Sequence, residues 1–187
     1  MSGSEVAVVI PVHNNGKTIG GILQQVLAEF PLVVCVDDGS TDESVAEIEK
    51  TSAGLIKIPT RHGYSSALQT GIEFALQNPR VRYLATVDER YDLRNLPEML
   101  DKLKDDEDLD IVLGSRFARH PNERDLIMKA VTWFVNYRTK TKLTDLTRMR
   151  VFTREFGESL LSANLGADLE ILEKIGANKW RYTESQL

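Results

Sequence analysis

A group of charged residues follows one of the apolar segments of the sequence. The segment YLATV at residues 83–87 runs directly into Asp88, Glu89 and Arg90, and Asp92 lies two residues further on. Carboxylate oxygens are the ligands that Mg²⁺ and similar hard cations prefer, whereas the positive charge of an arginine opposes a cation bound beside it. The segment therefore combines a feature that favours a cation site with one that opposes it.

Polar clusters also end four other apolar segments, at residues 13–16, 37–40, 61–63 and 115–116. Taken singly, each cluster fits an ordinary turn or the start of a helix. Asp37 differs, because it still belongs to a predicted strand and its carboxylate would need a hydrogen-bond donor there. Arg61 and Arg116 could neutralise phosphate groups, although a surface salt bridge would explain either residue equally well.

Apolar runs typical of strands alternate along the chain with segments of helical periodicity. The predicted strands are EVAVVIPV, LVVCVDD, GLIKIPT, VRYLATVD and LDIVLGSRF. Three helices are predicted at residues 18–30, 64–76 and 96–104. A further helix is predicted to end near Lys50, with Ser40 and Glu43 as its capping residues. Because the strands are apolar throughout, they predict an α/β fold of the Rossmann type, with a mostly parallel central sheet and helices on both faces. Ligands of such sheets bind at the carboxyl ends of the strands, where all five polar clusters lie.

The length and composition bound the class of protein. A chain of 187 residues, 42% of them hydrophobic, predicts a single domain over residues 1–187. The net charge of −5 argues against nucleic acid as a partner.

Cys35 is the single cysteine, so it cannot form an internal disulfide. It lies in the apolar run LVVCV, and we expect it to be buried. No apolar run approaches the ~20 residues of a membrane span and MSGSEV lacks the parts of a signal peptide, so we expect a soluble, cytoplasmic protein.

Several motifs together resemble a known family. VVIPVHNNGKTIGGIL followed by VVCVDDGSTDES resembles the opening of the inverting family 2 glycosyltransferases, and TRHGYSSALQTGIEFA is similar to their R-N-x-G-x-x-x-A-x-x-x-G segment. Residues 145–154 resemble the later run D-x-T-S-G-F-R-x-F-x-R. The dolichyl- or polyprenyl-phosphate mannose and glucose synthases are the most similar branch, and the resemblance covers nearly the whole chain.

The resemblance implies a GT-A fold that binds a nucleoside-diphosphate sugar. The turn after the first strand and the acids after the second would hold the base and ribose, and His13 replaces the usual tyrosine while still offering a planar ring. Because the family's base contacts are largely to the backbone, uridine and guanosine diphosphate sugars are both expected donors. The predicted nucleotide-sugar-binding residues are Pro11, Val12, His13, Asn14, Asp37, Asp38, Arg61, Gly63, Asp88, Arg90 and Arg116.

The chain departs from the family at its D-x-D motif, which appears here as Val87-Asp88-Glu89-Arg90. Asp88 matches the first acid and is predicted to be catalytic, whereas Arg90 falls on the second. In the family the two acids bind Mg²⁺ or Mn²⁺, which supports the negative charge on the leaving nucleotide. Three interpretations follow: Asp88 with Glu89 or Asp92 still holds a metal, Arg90 supplies the positive charge, or the site only binds.

The segment 116–142 is basic around an apolar run at 130–135, with cations at Arg119, Arg124, Lys129, Arg138, Lys140 and Lys142. In the polyprenyl-phosphate enzymes the corresponding segment lies near the membrane and helps to receive the lipid phosphate. The resemblance therefore implies a lipid-phosphate acceptor and a peripheral position at the membrane. An ordinary packed helix with a solvated face would explain the same residues.

Two kinds of function remain open. One is a glycosyltransferase that moves a sugar from a nucleoside-diphosphate sugar to an acceptor, and the other is a sugar-nucleotide-binding module that has lost catalysis. A dinucleotide-binding oxidoreductase would need G-x-G-x-x-G after the first strand, where the chain has Asn14-Asn15-Gly16-Lys17. A receiver-type signalling domain would need acids at that same turn.

Overall fold

The computed structural model describes residues 4–87, 93–118, 126–161 and 168–187. In this part of the chain seven strands form one sheet in the order β3-β2-β1-β4-β6-β5-β7. The strands are β1 (Val6–Val12), β2 (Leu32–Asp38), β3 (Gly54–Ile58), β4 (Tyr83–Thr86), β5 (Ile111–Ser115), β6 (Arg150–Thr153) and β7 (Tyr182–Gln186).

Helices follow most of the strands. They are α1 (Ile19–Leu27), α2 (Ser44–Glu49), α3 (Tyr64–Leu76), α4 (Leu96–Asp105), α5 (Leu126–Thr139), α6 (Arg154–Leu161) and α7 (Asp168–Lys174). A 3-10 turn at Leu93–Asn95 precedes α4, and a π-helical turn at Ile175–Lys179 follows α7. The observed bounds of α1, α3 and α4 lie within three residues of those that the apolar periodicity predicts.

The pairing of the strands is mostly parallel. β1 pairs in parallel with β2 and β4, β2 with β3, and β5 with β7, while β6 runs antiparallel to both β4 and β5. The register sets Arg150 of β6 opposite Thr86 of β4. The residues just before β6 therefore lie beside the carboxyl end of β4.

Apolar side chains are buried on both faces of the sheet. Val8 and Ile10 of β1 pack on one face together with Leu23 of α1, whereas Val9 of β1 packs on the other face together with Ile72 of α3. Alternate residues of a strand point to opposite faces, so a strand that is apolar throughout must be covered twice. The predicted α/β fold with helices on both faces is confirmed.

α3 lies unusually close to the first two strands because of a glycine. A Cβ atom on Gly71 would come within 2.3 Å of Val9 Cγ1 and 3.0 Å of Val36 Cγ2. Only glycine allows this approach without repacking the core. The close packing fixes the start of α3 beside the carboxyl ends of β1 and β2.

The second helix begins later than the capping pattern predicts. α2 starts at Ser44, and neither Ser40 nor Glu43 caps it through its side chain. The Ser40 hydroxyl instead accepts a hydrogen bond from the Asn14 N–H at 2.9 Å. Ser40 therefore links the two turns at the sheet edge, which the local pattern alone could not reveal.

Cys35 is fully buried in β2, as expected. Burial raises the pKa of its thiol to about 12. The thiol is consequently neutral and unreactive in the folded protein near neutral pH.

One helix, α5, points apolar side chains outward. The exposed residues include Leu126 and Ile127, with 83% and 77% of their surface accessible, and Val131, Trp133, Phe134 and Tyr137. The rings of Trp133 and Tyr137 stack with centroids 5.8 Å apart.

Over the parts of the chain that the structure describes, no helix has both the length and the apolar character needed to cross a bilayer.

Candidate functional site

A cavity of about 530 Å³ opens at the carboxyl ends of the first two strands. Its size falls in the range of small-molecule sites, roughly 300–1,000 Å³. Its lining comes mainly from β1 and the turn after it, from α1, from the start of α3, and from the segment before β6: Ile10, Pro11, Val12, His13, Asn15, Ile19, Ile22, Asp38, Arg61, Tyr64, Ala67, Val87, Leu146 and Arg148. The predicted residues Pro11, Val12, His13, Asp38 and Arg61 are therefore brought together.

The ring of His13 is held by two hydrogen bonds. Its Nδ1 lies 2.8 Å from the Asp38 carbonyl oxygen, and its Nε2 lies 3.4 Å from the Asn14 amide nitrogen Nδ2. Because a carbonyl oxygen can only accept, Nδ1 must carry the proton, which leaves Nε2 as the acceptor in the neutral ring. The imidazole is thus fixed in orientation where the chain leaves β1.

The turn after β1 is tied to the loop after β2. Asn14 adopts a left-handed conformation with a φ of 58°, which asparagine tolerates better than most residues. Its side-chain oxygen accepts from the Thr41 N–H at 2.9 Å, and the Asn15 N–H donates to the Ser44 hydroxyl at 2.7 Å. Asn14 is not among the cavity-lining residues, so its contribution in this structure is to shape the turn.

Asp38 is buried, and each of its carboxylate oxygens accepts a backbone hydrogen bond. One of its carboxylate oxygens accepts from the His62 N–H and the other from the Gly63 N–H, each at 2.7 Å. Gly63 has a φ of 98°, which favours glycine. Asp38 thus fixes the turn that leads into α3, and Gly63 shapes that turn without lining the cavity.

Asp37 points away from this turn. It is only 4% exposed, and its carboxylate oxygens each accept a long bond, 3.3 Å, from the Ser40 N–H. Neighbouring residues in a strand lie on opposite faces, so Asp37 and Asp38 cannot both face the cavity. Asp38 lines the cavity and Asp37 does not.

Two guanidinium groups give the cavity its charge. Arg61 and Arg148 line it together with one carboxylate, that of Asp38, if only the described residues are counted. The Arg148 guanidinium lies over the Tyr64 ring, with 4.0 Å from its central carbon to the ring centroid. α3 begins at Tyr64, and the N-terminus of a helix adds partial positive charge. The cavity is therefore suited to an anionic ligand.

Arg116 is engaged elsewhere. Its Nε and Nη2 donate to the two carboxylate oxygens of Asp145 at 2.7 and 2.8 Å. Burial opposes ionisation of Asp145, but the hydrogen bonds from Arg116 and the Leu146 N–H outweigh it and lower the pKa of that carboxyl. Burial raises the pKa of Glu184, which accepts from the Thr144 N–H at 2.9 Å. This cluster holds the chain just before Leu146 and Arg148, and Arg116 is not among the cavity-lining residues.

The predicted catalytic residue Asp88, the predicted metal ligands Glu89 and Asp92 beside it, and the predicted nucleotide-binding residue Arg90 all lie outside the described residues. Among the residues that are described, no group of three or more histidine, cysteine, aspartate or glutamate side chains could hold a metal ion. Asp38, the carboxylate that lines the cavity, is already hydrogen-bonded at both oxygens. Any metal at this cavity would therefore need ligands from outside the described residues.

Sequence reasoning did not assign Tyr64 and Arg148 to the site. Tyr64 directly follows the R-H-G turn, and Arg148 belongs to the run 145–154, which carries part of the family resemblance. Both residues could therefore have been assigned to the site from the sequence. The stacking between them was not, because 84 residues separate them along the chain.

The mostly parallel sheet, with a cavity for an anionic ligand at its carboxyl edge, defines an α/β domain of the GT-A type. Residues 7–158 match the model of the family described as Glycosyl transferase family 2. The chain belongs to this family.

Related proteins support the same assignment. An uncharacterized glycosyltransferase of Mycobacterium tuberculosis is 28% identical over 190 residues, which cover 98% of this chain and 84% of that protein. Glucosyl-3-phosphoglycerate synthase of the same organism, solved with Mn²⁺ and UDP-glucose, superposes with a TM-score of 0.72 at 17% identity, over 100% of this chain and 71% of the other. Its structure with Mg²⁺ and UDP superposes with a TM-score of 0.71 at 17% identity, over 100% and 70%. At this identity the superposition shows a shared fold.

Proposed function

We propose that this chain transfers a sugar from a nucleoside-diphosphate sugar to an acceptor, with inversion at the anomeric carbon. The observation that carries the proposal is the cavity, which gathers Pro11, Val12, His13, Asp38 and Arg61 in a family 2 chain and is positively charged over its described lining. In the reaction, an acceptor oxygen forms a bond to the anomeric carbon from the face opposite the nucleotide. The bond to the diphosphate breaks and its electron pair stays on the diphosphate. A phosphate acceptor attacks as an anion, so no proton has to be removed from it in this step.

The chain's own residues would bind and orient the donor. His13 offers a fixed planar ring for the base, and Arg61 offers a charged group for the diphosphate. Asp37 stays a predicted contact of the nucleotide, although its carboxylate does not line the cavity in this structure. UDP-glucose is the first donor to test, because the glucosyl-3-phosphoglycerate synthase that shares this fold was solved with it.

A divalent cation, Mg²⁺ or Mn²⁺, would supply positive charge to the leaving diphosphate when bound. Asp88 would hold it with Glu89 or Asp92. Because Arg90 occupies the second position of the motif, we expect this binding to be weak. Asp88 is the proposed catalytic residue.

The proposed acceptor is a polyprenyl phosphate at a membrane surface. The exposed face of α5 supports this choice, because it presents aromatic and aliphatic side chains beside Lys129 and Arg138. Segment 126–142 contains four cations, Lys129, Arg138, Lys140 and Lys142, and no acidic residue, although the whole chain carries −5. Helices with several cations, and with tryptophan and other apolar side chains on one face, are typical of segments that lie at a membrane surface.

A second candidate is a sugar-nucleotide-binding module without catalysis. The observation that favours it is Arg90 in place of the second acid of the D-x-D motif. Such a module would bind the same donors through the same cavity but would not release the nucleotide from them.

A thermal-shift panel tests the donor assignment. The intact chain is screened against UDP- and GDP-sugars and the free diphosphates, with Mn²⁺ and with a chelator. A ligand present at 100 times its dissociation constant stabilises the folded state by about 2.7 kcal/mol. We expect one nucleotide series to stabilise the protein; if neither series raises the melting temperature under either condition, the proposed function is wrong.

A further inference from the structure

Arg148 reaches the cavity from a position that the family resemblance does not assign to the site. In the run D-x-T-S-G-F-R the residue after threonine is serine, whereas this chain has Arg148 after Thr147. Arg148 nevertheless lines the cavity, close to the turn that Asp38 fixes.

The backbone on both sides of the Arg148 Cα atom is anchored. The Thr147 hydroxyl donates to the Gly114 carbonyl oxygen at 2.6 Å, and the Thr86 hydroxyl donates to the carbonyl oxygen of Arg148 at 2.6 Å. Thr86 and Thr147 are both buried. The position from which the arginine side chain leaves the backbone is thus fixed by β4 and β5.

The side chain is held as well. Its guanidinium carbon lies 4.0 Å from the centroid of the Tyr64 ring, a distance typical of a strong cation–π contact. This contact uses the face of the planar group, whereas its N–H donors lie in the plane and match the geometry of phosphate oxygens. A guanidinium that is already ordered loses less entropy when an anion binds.

Among the described residues, the charges that line the cavity beside Arg148 are mostly positive. Arg61 is a second cation in the cavity lining, and both carboxylate oxygens of Asp38 accept backbone hydrogen bonds from the turn before α3. A diphosphate bound in this cavity would be attracted to both arginines.

We propose that Arg148 binds the diphosphate of the nucleotide donor, and that it gives the protein affinity for a nucleoside diphosphate that does not require a divalent cation. The inference rests on the proposed function, since it assumes that the cavity binds the donor. It assigns to a residue outside the D-x-D segment part of the charge neutralisation that a divalent cation at that segment would otherwise supply.

Calorimetry in a chelator tests this proposal. Binding of UDP, UMP, GDP and GMP is measured for the wild type, Arg148→Met, Arg148→Lys and the control Arg80→Met, which removes an exposed arginine between α3 and β4 outside the cavity. We expect Arg148→Met to weaken diphosphate binding about 10-fold to 100-fold, and monophosphate binding much less, since it removes a hydrogen bond to a charged group. Arg148→Lys should be intermediate, and Arg80→Met should match the wild type.

A purely structural role for Arg148 would weaken monophosphate and diphosphate binding equally and lower the melting temperature of the free protein. That result, or unchanged or stronger diphosphate binding by Arg148→Met, would overturn the inference. It would also be overturned if the wild type bound a diphosphate only with Mn²⁺, and the proposed function would then stand. If no nucleotide bound with or without Mn²⁺, both would fail.

Discussion

The carboxylate of Asp38 and the backbone N–H of Gly63 are joined by a 2.7 Å hydrogen bond, with the second carboxylate oxygen bound in the same way to the preceding residue, His62. The bond connects the end of β2 to the turn before α3. Because Gly63 has a positive φ, this turn depends both on a glycine and on a carboxylate that holds two adjacent amides. The position of Tyr64, and with it the contact to Arg148, follows from this link.

Replacing Asp38 with asparagine should therefore destabilise the protein. The amide keeps one acceptor oxygen but turns an NH₂ group towards a backbone N–H, which leaves a buried donor unsatisfied. We expect the free energy of unfolding to fall by about 1–3 kcal/mol, measured by urea denaturation. Asp37→Asn is the matched control. The described hydrogen bonds of the Asp37 carboxylate are 3.3 Å long, so this variant should lose less stability. Equal losses in the two variants would contradict the structural role given to Asp38.

Asp37 is predicted to contact the nucleotide, and its replacement tests that assignment separately. If its carboxylate accepts a hydrogen bond from the base or ribose, Asp37→Ala should weaken nucleotide binding by roughly 1.5–3 kcal/mol. Calorimetry with the best diphosphate from the panel measures the loss. A folded Asp37→Ala variant with wild-type affinity would remove Asp37 from the site and leave the cavity as described.

The ion pair between Arg116 and Asp145 predicts a pH-dependent stability difference. The pKa of Asp145 is lowered from its usual value of 3.8, so the ionised carboxylate stabilises the fold above that value, and the contribution is lost as the pH falls through the folded-state pKa. Asp145→Asn should lower the free energy of unfolding by about 1.5 kcal/mol at pH 7. This is the low end of the range for hydrogen bonds to charged groups, because the Arg116 side chain is 42% exposed. Urea denaturation of the wild type and Asp145→Asn from pH 7 to pH 3 should show that the difference between their free energies of unfolding becomes smaller in acid. A gap that stays constant would argue against this linkage.

Arg90 is predicted to weaken metal binding, and it lies outside the described residues. Arg90→Asp rebuilds an acid-x-acid pattern after Val87 and should make nucleotide binding strongly dependent on Mn²⁺. Wild-type binding should depend on Mn²⁺ only weakly. Calorimetry on both proteins, with Mn²⁺ and then with a chelator, makes the comparison. An Arg90→Ala variant with unchanged affinity and metal response would show that Arg90 does not act at the site.

The outward face of α5 predicts binding to anionic membranes. The protein should co-sediment with liposomes rich in anionic lipid and be released as salt rises, because each cation near the surface contributes about 1 kcal/mol. Trp133→Asp should reduce this binding strongly. Phe74→Asp changes an exposed aromatic residue on α3 and should leave it unchanged. Equal sedimentation with neutral and anionic vesicles would exclude the electrostatic part of the proposal.

The sequence predicts β1 to β5 well, because apolar runs such as VAVVIPV and LVVCVDD are long and unbroken. It does not predict that β6 inserts antiparallel between β4 and β5. Strand order depends on contacts between distant segments, which local periodicity does not record. The capping pattern at Ser40 failed for a similar reason, since the hydroxyl binds Asn14 of another turn.

The site was predictable in outline but not in detail. Pro11, Val12 and His13 follow from the family resemblance and do line the cavity. The choice between Asp37 and Asp38 depends on which face of β2 each side chain occupies, and a run that is buried on both faces carries no signal for this. Arg148 lies in the connection between α5 and β6, so only the three-dimensional structure brings it next to Tyr64.

Release of nucleoside diphosphate from a donor tests the central claim most directly. The intact protein is incubated with the UDP- or GDP-sugar that binds, with and without polyprenyl phosphate, and the free diphosphate is quantified by chromatography. His13→Ala removes a ring that lines the cavity, and His62→Ala is its control, since the His62 imidazole lies outside the cavity lining. We predict that the wild type and His62→Ala release the diphosphate, faster with acceptor present, and that His13→Ala releases less. Binding of the donor with no release above the protein-free rate would contradict transfer and establish the binding module instead.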